Sequence, residues 1–139
     1  MPLRAVIDTN VVYAGLRSRN GASYQILDAL ERHLWTLVLS NTVLTEYEEI
    51  LKRDAPAIGM TIDRVDLFLD SLCLHADKRH TSETWLPVLP DPDDEAFVQL
   101  AFESKADHLV SFNMAHLAPA RALGINLLAP KEFFKILKA

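Results

Sequence analysis

Cysteine is almost absent: Cys73 is the only one among 139 residues. One thiol excludes an internal disulfide and a thiolate zinc cluster built within one chain. Cys73 falls on an apolar helical stripe with Ile62, Val65, Leu69 and Leu72, where it reads as a small core residue rather than a catalytic thiol. Glycine is scarce as well. The four glycines stand at 15, 21, 59 and 124, so there is neither a dinucleotide-binding G-x-G-x-x-G nor a P-loop. No G-x-S-x-G marks a nucleophile elbow. Long apolar runs are missing: Leu34 to Thr45 carries no charge but ends after 12 residues, against roughly 20 for a membrane-spanning helix. Ahead of Asp8 there is no room for a signal peptide. The expected location is the cytoplasm, with no membrane partner. The histidines, His33, His75, His80, His108 and His116, show no zinc-ligand spacing and read as surface or locally bonded residues.

A basic surplus is also lacking. Lysine and arginine number 14 against 19 aspartates and glutamates, for a net charge of −5. Nucleic-acid binders usually show the reverse. Without Asp8, Glu46, Asp91, Asp93 and Asp94, however, the acids would equal the 14 bases. A divalent-metal site would contribute such an excess, and bound cations would offset it. A mildly acidic composition by chance fits the same count.

What is present points to a folded α/β chain. Half of the residues are apolar, enough for a core, and the length favours one domain over residues 1–139. Leu3 to Ile7 is a short apolar run ending at Asp8 and reads as a buried strand. Helical stretches follow over Val11 to Leu16 and Ala22 to Arg32. Thr36 to Leu39 reads as a strand, and Ser40 or Thr42 caps a helix reaching about Lys52. Asp54 to Gly59 reads as a loop, and Thr61 opens a helix ending near Cys73. A short strand is expected within Leu74 to His80, then a connecting loop over Thr81 to Pro90. Asp91 to Ser104 reads as one helix and His108 to Ser111 as a strand. A last strand, Ile125 to Leu128, precedes a final helix, Lys131 to Leu137. Such alternation predicts a parallel sheet with helices on both faces. Ligands of such folds bind beyond the carboxyl ends of the strands.

The residues after those strand ends are rich in carboxylates. Asp8 ends the first strand; Asp8-Thr9-Asn10 suits a metal site and a helix cap equally. Glu46 flanks the stripe of Val43, Leu44, Tyr47, Ile50 and Leu51, in the turns closest to the strand end. An ordinary helix-edge glutamate is its alternative reading. Asp91 suits an N-cap and Pro92 the first helical position. On a continuous helix Asp94 lies between Phe97 and Val98, on the face toward the sheet, while Glu95 faces away. An inward carboxylate needs a cation or strong donors. Asp8, Glu46 and Asp94 are therefore the expected metal ligands. Magnesium takes oxygen ligands and keeps several waters, so few carboxylates suffice. Asn113 is a further catalytic candidate, as a neutral oxygen ligand or as the holder of a water. Asn10 and Ser111 are expected to orient the carboxylates, with Asp91 beside them. Arg17 and Arg19 are candidate RNA phosphate contacts, whereas Lys78-Arg79-His80 reads as a solvated turn.

Asp8-Thr9-Asn10-Val11 resembles the opening of PIN-domain nucleases. Asp91-Pro92-Asp93-Asp94, Ala101, Ala106-Asp107 and Leu109-Val110-Ser111-Phe112-Asn113 are similar to the second half of a PIN-family toxin subgroup of the VapC-like kind. So is the ending, Leu128-Ala129-Pro130-Lys131-Glu132-Phe133-Phe134. The resemblance implies a three-layer α/β/α sandwich around a parallel sheet, and Mg2+- or Mn2+-dependent cleavage of RNA. Its acidic positions fall on Asp8, Glu46 and Asp94. Many PIN domains carry a fourth acid where Asn113 stands. Relatives often pair with a small protein antitoxin and often self-associate into homo-oligomers. Two other readings stay open: a degenerate PIN-like module that binds RNA or protein without cutting, and a phosphotransfer or phosphatase domain using Asp8 as nucleophile. The second wants another aspartate where Asn10 stands.

Overall fold

A computed structural model of the chain describes residues 2–139. Its sheet is built from β1 (Leu3–Ile7), β2 (Trp35–Leu39), β3 (Asp77–Lys78), β4 (His108–Val110) and β5 (Leu127–Leu128), in the order β3-β2-β1-β4-β5. Every neighbouring pair is parallel. Successive strand side chains point to opposite faces. Ala5, Val6 and Ile7 are nevertheless all fully buried, as are Leu37, Val38 and Leu39 nearly so. Three buried positions in a row require cover on both faces of the sheet.

The helices supply that cover. They are α1 (Thr9–Arg17), α2 (Ala22–Glu31), α3 (Asn41–Arg53), α4 (Ile62–Leu74), α5 (Glu95–Ser104), α6 (Met114–Leu117) and α7 (Pro130–Lys138). The α2 helix packs against α1 and α7, α3 packs against α4, and α5 crosses β1, β2 and β4. The result is the expected three-layer α/β/α sandwich. Close approach of α1 and α2 depends on Gly15, where an added Cβ would stand 2.6 Å from Leu27 Cδ1 and 3.0 Å from the Ser23 carbonyl oxygen. Trp35 locks the start of β2: its indole N–H donates to the Ile26 carbonyl at 2.9 Å, and its ring meets Phe133 edge-on at 5.3 Å. Among the described residues no helix is long and apolar enough to cross a membrane.

Two local expectations are corrected. Asp54 to Gly59 is not an irregular loop: Ala55–Ile58 forms a 3-10 turn closed by Gly59 at φ 71°. Asp91 to Ser104 is not one continuous helix. Pro92–Asp94 is a 3-10 turn, and α5 begins only at Glu95.

Glu95 does not face solvent; it is buried. Its carboxylate accepts the Trp85 indole N–H at 2.8 Å and the backbone N–H groups of Val88 and Leu89. Farther along the same helix face, Gln99 donates to the Ser82 carbonyl at 2.7 Å, and Glu103 accepts the Ser82 amide at 2.7 Å. Residues four apart share one helix face. Glu95, Gln99 and Glu103 thus strap the connecting loop across the outside of α5, and the cover of that largely exposed loop is what buries Glu95.

The chain winds from β1 through β2 to β3 on one side, then returns to β4 on the other side of β1. The segments leaving β1 and β4 diverge at their carboxyl ends, and the crevice between them is the usual ligand position of such a sheet.

Candidate metal centre

Asp8 is the first residue beyond β1. Its amide donates to the Val110 carbonyl at 2.9 Å, continuing the β1–β4 pairing. The side chain is buried and makes no capping hydrogen bond to α1. Instead its Oδ2 accepts the Ser111 hydroxyl at 2.6 Å. Ser111 is oriented in turn: its Oγ accepts the Asn113 amide at 2.9 Å and the Asn10 side-chain amide at 3.5 Å. The Asn10 carbonyl oxygen receives the Phe112 amide at 3.4 Å. Asn10, Ser111 and Asp8 therefore form a bonded chain across the crevice between β1 and β4. Burial pushes the Asp8 carboxyl above its ordinary value, against the pull of Ser111 and the nearby amides of Thr9 and Asn10.

Glu46 is brought in by α3. Ser40 caps that helix, its Oγ accepting the Val43 amide at 3.2 Å. The neighbouring Tyr47 is fully buried, and its hydroxyl donates to the carbonyl of Ile7, the residue before Asp8. One side chain thus ties the Glu46 turn to the end of β1. Glu46 is half-buried. Its carboxyl is raised first by burial, then by the charges of Glu49, Asp93, Asp8 and Asp94.

Asp94 closes the 3-10 turn ahead of α5 and is half-buried. Its carboxyl is raised by burial first, then by Asp8 and Asp91, while His116 pulls the other way and Asp93 adds a smaller push. Asp8 also helps burial raise the Tyr47 hydroxyl. Asp8, Glu46 and Asp94 therefore share one field at the carboxyl end of the sheet. None of the three is in an ion pair among the described residues.

The donor set is carboxylate oxygen with unmatched negative charge, which suits magnesium or manganese rather than a softer metal. No three Asp, Glu, His or Cys side chains among the described residues stand close enough to enclose a cation by themselves. Water would complete the shell, as magnesium prefers.

The other expected residues divide. Asn113 is exposed at the start of α6, and its backbone rather than its side chain meets Ser111. Asp91 accepts the Asp93 amide at 2.9 Å, which makes it the cap of the 3-10 turn. Arg17 is the last residue of α1 and lies over the Tyr13 ring, 5.9 Å from its centroid. A nine-residue helix is about 13 Å long, so Arg17 and Arg19 stand a helix length from Asp8, away from the carboxyl end of β1. Asp93, counted with the acids of this region in the sequence, lies close enough to act on the others, and His116 is the one residue here that sequence reading left out. Asp93 adds to the field on Glu46 and Asp94, and His116 provides the one opposing charge on Asp94. The position of His116 five residues beyond Ser111, soon after a strand end, was the available signal. His108 is a core histidine, bonded to the Asn126 amide at 2.8 Å.

Comparison with known proteins identifies the family and the fold. Residues 4–115 match the PIN domain family. A search among proteins of curated function gave no match. Among solved structures, the chain is similar to a chain of VapBC2 from Rickettsia felis, crystallised bound to a DNA fragment from their promoter. The TM-score is 0.62 at 15% identity, covering 91% of this chain and 98% of that one. It is also similar to a PilT N-terminus domain protein from the hyperthermophilic archaeon Sulfolobus solfataricus P2. There the TM-score is 0.54 at 19% identity, covering 97% and 93% of the two chains. At such identities the likeness concerns the fold. The family match covers most of the chain and spans Asp8, Glu46, Asp94 and Asn113: the chain belongs to the PIN-domain family.

Proposed function

We propose that the protein is a divalent-metal-dependent endoribonuclease that hydrolyses single-stranded RNA, with Asp8, Glu46 and Asp94 as ligands of Mg2+ or Mn2+. The observation that supports this reading is that Glu46 and Asp94 both feel the charge of buried Asp8 beyond the end of β1, while none of the three is ion-paired among the described residues. A bare cluster of this kind repels a phosphodiester, so substrate binding follows cation binding. The chemistry such a cation supplies is activation of water and stabilisation of charge at the phosphate. Ser111 holds Asp8 in one orientation, and Tyr47 fixes the α3 turn that bears Glu46. Asn113, at the crevice mouth, is the group to orient a water or a phosphate oxygen. A flexible single strand can lay its backbone in the crevice while its bases stay outside. We further propose a cytoplasmic toxin role with a small protein antitoxin as partner, supported by the likeness to a chain of VapBC2.

The test is cleavage of labelled single-stranded RNA across a magnesium and a manganese titration. Activity should require metal and fall at least a hundredfold on Asp8→Asn or Asp94→Asn, in line with loss of charge stabilisation at a reacting centre. Cleavage persisting in chelator, or in both variants, rules this mechanism out. Metal-dependent binding without cleavage at any metal concentration favours the non-cutting module, a reading that Asn113 at the fourth acidic position supports.

A further inference from the structure

The proposed substrate is a polyanion, yet the chain has a net charge of −5. RNA therefore needs a local cationic surface close to the carboxyl ends of the strands. Several basic residues are unsuited to supply it. Lys52 is closed on Glu48 and Asp66 at 2.8 Å each. Arg53 is paired with Asp54 at 3.1 Å. Arg17 and Arg19 lie at the far end of α1.

The edge of the sheet differs. Immediately beyond β2 and β3, Lys78, Arg79 and His80 line a cavity of about 230 Å3, whose other side includes Ser40, Asn41 and Leu44 from the start of α3. The Arg79 amide donates to the Leu39 carbonyl at 2.8 Å, so this basic segment is held to the sheet. The Arg79 guanidinium sits on Asp77 at 2.8 Å, and Arg4 reaches the same carboxylate at 2.7 Å. Two guanidinium groups thus share one carboxylate, which leaves a positive surplus. Lys78 and His80 are exposed and enter no ion pair among the described residues. The first turn of α3 adds the positive end of a helix dipole to the same wall. The volume falls below the roughly 300 Å3 of pockets that take drug-sized ligands, which suits a phosphate group better than a whole nucleotide. Adjacent strands are about 4.8 Å apart, so the end of β3 lies on the order of 10 Å from the end of β1 and Asp8. One extended strand of RNA can touch both.

We propose that this cavity is a phosphate subsite, in which Lys78, Arg79 and His80 hold a backbone phosphate of single-stranded RNA flanking the one at the metal centre. This rests on the RNA reading above and adds to it a direction for the bound strand, from the β1–β4 crevice toward the β3 edge. Lys78 supplies a mobile point charge, and Arg79 and His80 supply directed N–H donors.

The test is binding of a fluorescent single-stranded oligoribonucleotide over a salt series at a fixed, saturating concentration of calcium, an oxygen-liganded cation that can fill the carboxylate site, with the oligoribonucleotide checked on a gel to be intact. Wild type is compared with Lys78→Gln and with Lys138→Gln, an equal charge change in the last turn of α7. Lys78→Gln should weaken binding several-fold at low salt. It should also flatten the dependence of log affinity on log salt by about 0.7, the value for one phosphate contact on a single strand. Lys138→Gln should keep the wild-type slope. Equal slopes for wild type and Lys78→Gln overturn the subsite, even if metal-dependent cleavage is found. RNA binding with the Lys78 dependence but no cleavage in any metal leaves the subsite standing and removes the nuclease reading. No RNA binding by wild type at any salt concentration overturns both.

Discussion

Asp8 is under opposed influences: burial favours the neutral acid, while the Ser111 hydroxyl and nearby amides favour the carboxylate. The balance lies on the raised side for Asp8, and likewise for Glu46 and Asp94. For a raised acid, the unfolded chain ionises first as pH climbs past the ordinary values of 3.8 for aspartate and 4.5 for glutamate. Stability from these three groups is thus full below those values and is lost as pH rises through their folded values. Asp77, lowered mainly by Arg79 and further by Arg4, and Asp54, lowered by Arg53, act in the opposite sense. Their contribution is present above 3.8 and lost as pH falls through their folded values. In chelator these three acids therefore add stability as pH falls from neutral to mildly acidic, against the loss from His108, whose buried imidazole is lowered from 6.5 and resists protonation in that range. Asp94→Asn should reduce that gain, keep or raise the melting temperature at neutral pH, and shrink the stabilisation given by added magnesium. A metal-free melting-temperature profile that has the same shape in wild type and Asp94→Asn contradicts the raised Asp94 carboxyl.

At the scale of elements, the strap across α5 is the arrangement most exposed to test. Glu95 gathers three N–H donors from the loop that leads into Asp91–Asp94. Glu95→Ala would leave buried donors unmet, at about 1–3 kcal/mol for each that water cannot reach. The expected outcome is a melting temperature lower by several degrees, together with new proteolytic cleavage between 81 and 90. RNA cleavage should fall as well, because the released loop no longer fixes where the turn bearing Asp94 begins. Trp85 gives a local signal, since its indole bonds Glu95. Its fluorescence should shift toward that of an exposed tryptophan. If stability and proteolysis both match wild type, the strap is not holding the loop.

The molecule as a whole has one sheet and one contiguous core running through β1, β2, β4 and the helices on both sides. Its single cysteine provides no covalent brace. Unfolding in urea should be one transition, coincident by circular dichroism and by fluorescence from buried Trp35, and unchanged by reductant. Two separated transitions would break the one-domain reading of residues 1–139. A melting temperature that moves with reductant would reveal a disulfide between chains through Cys73.

Local pattern was enough for β1, β2, β4, most helix ends and the sandwich class, because burial on both sheet faces and the 3.6-residue helical period are written along the chain. Thr61 and Ser40 illustrate this, each capping the helix that the sequence places behind it. The order of acids at strand ends makes Asp8, Glu46 and Asp94 the expected ligands, and the fold sets Glu46 and Asp94 within the field of Asp8. Three matters were decided only in three dimensions. Glu95 turned inward because a distant loop covers the face that helical period assigns to solvent. Arg17 and Arg19 moved out of the site because α1 carries them away from the strand ends. Lys78, Arg79 and His80 acquired a shared cavity because β3 pairs with β2 and sets them against α3. Period and propensity act over neighbouring residues, whereas burial of a charge and convergence of side chains depend on which remote segments the sheet order brings together.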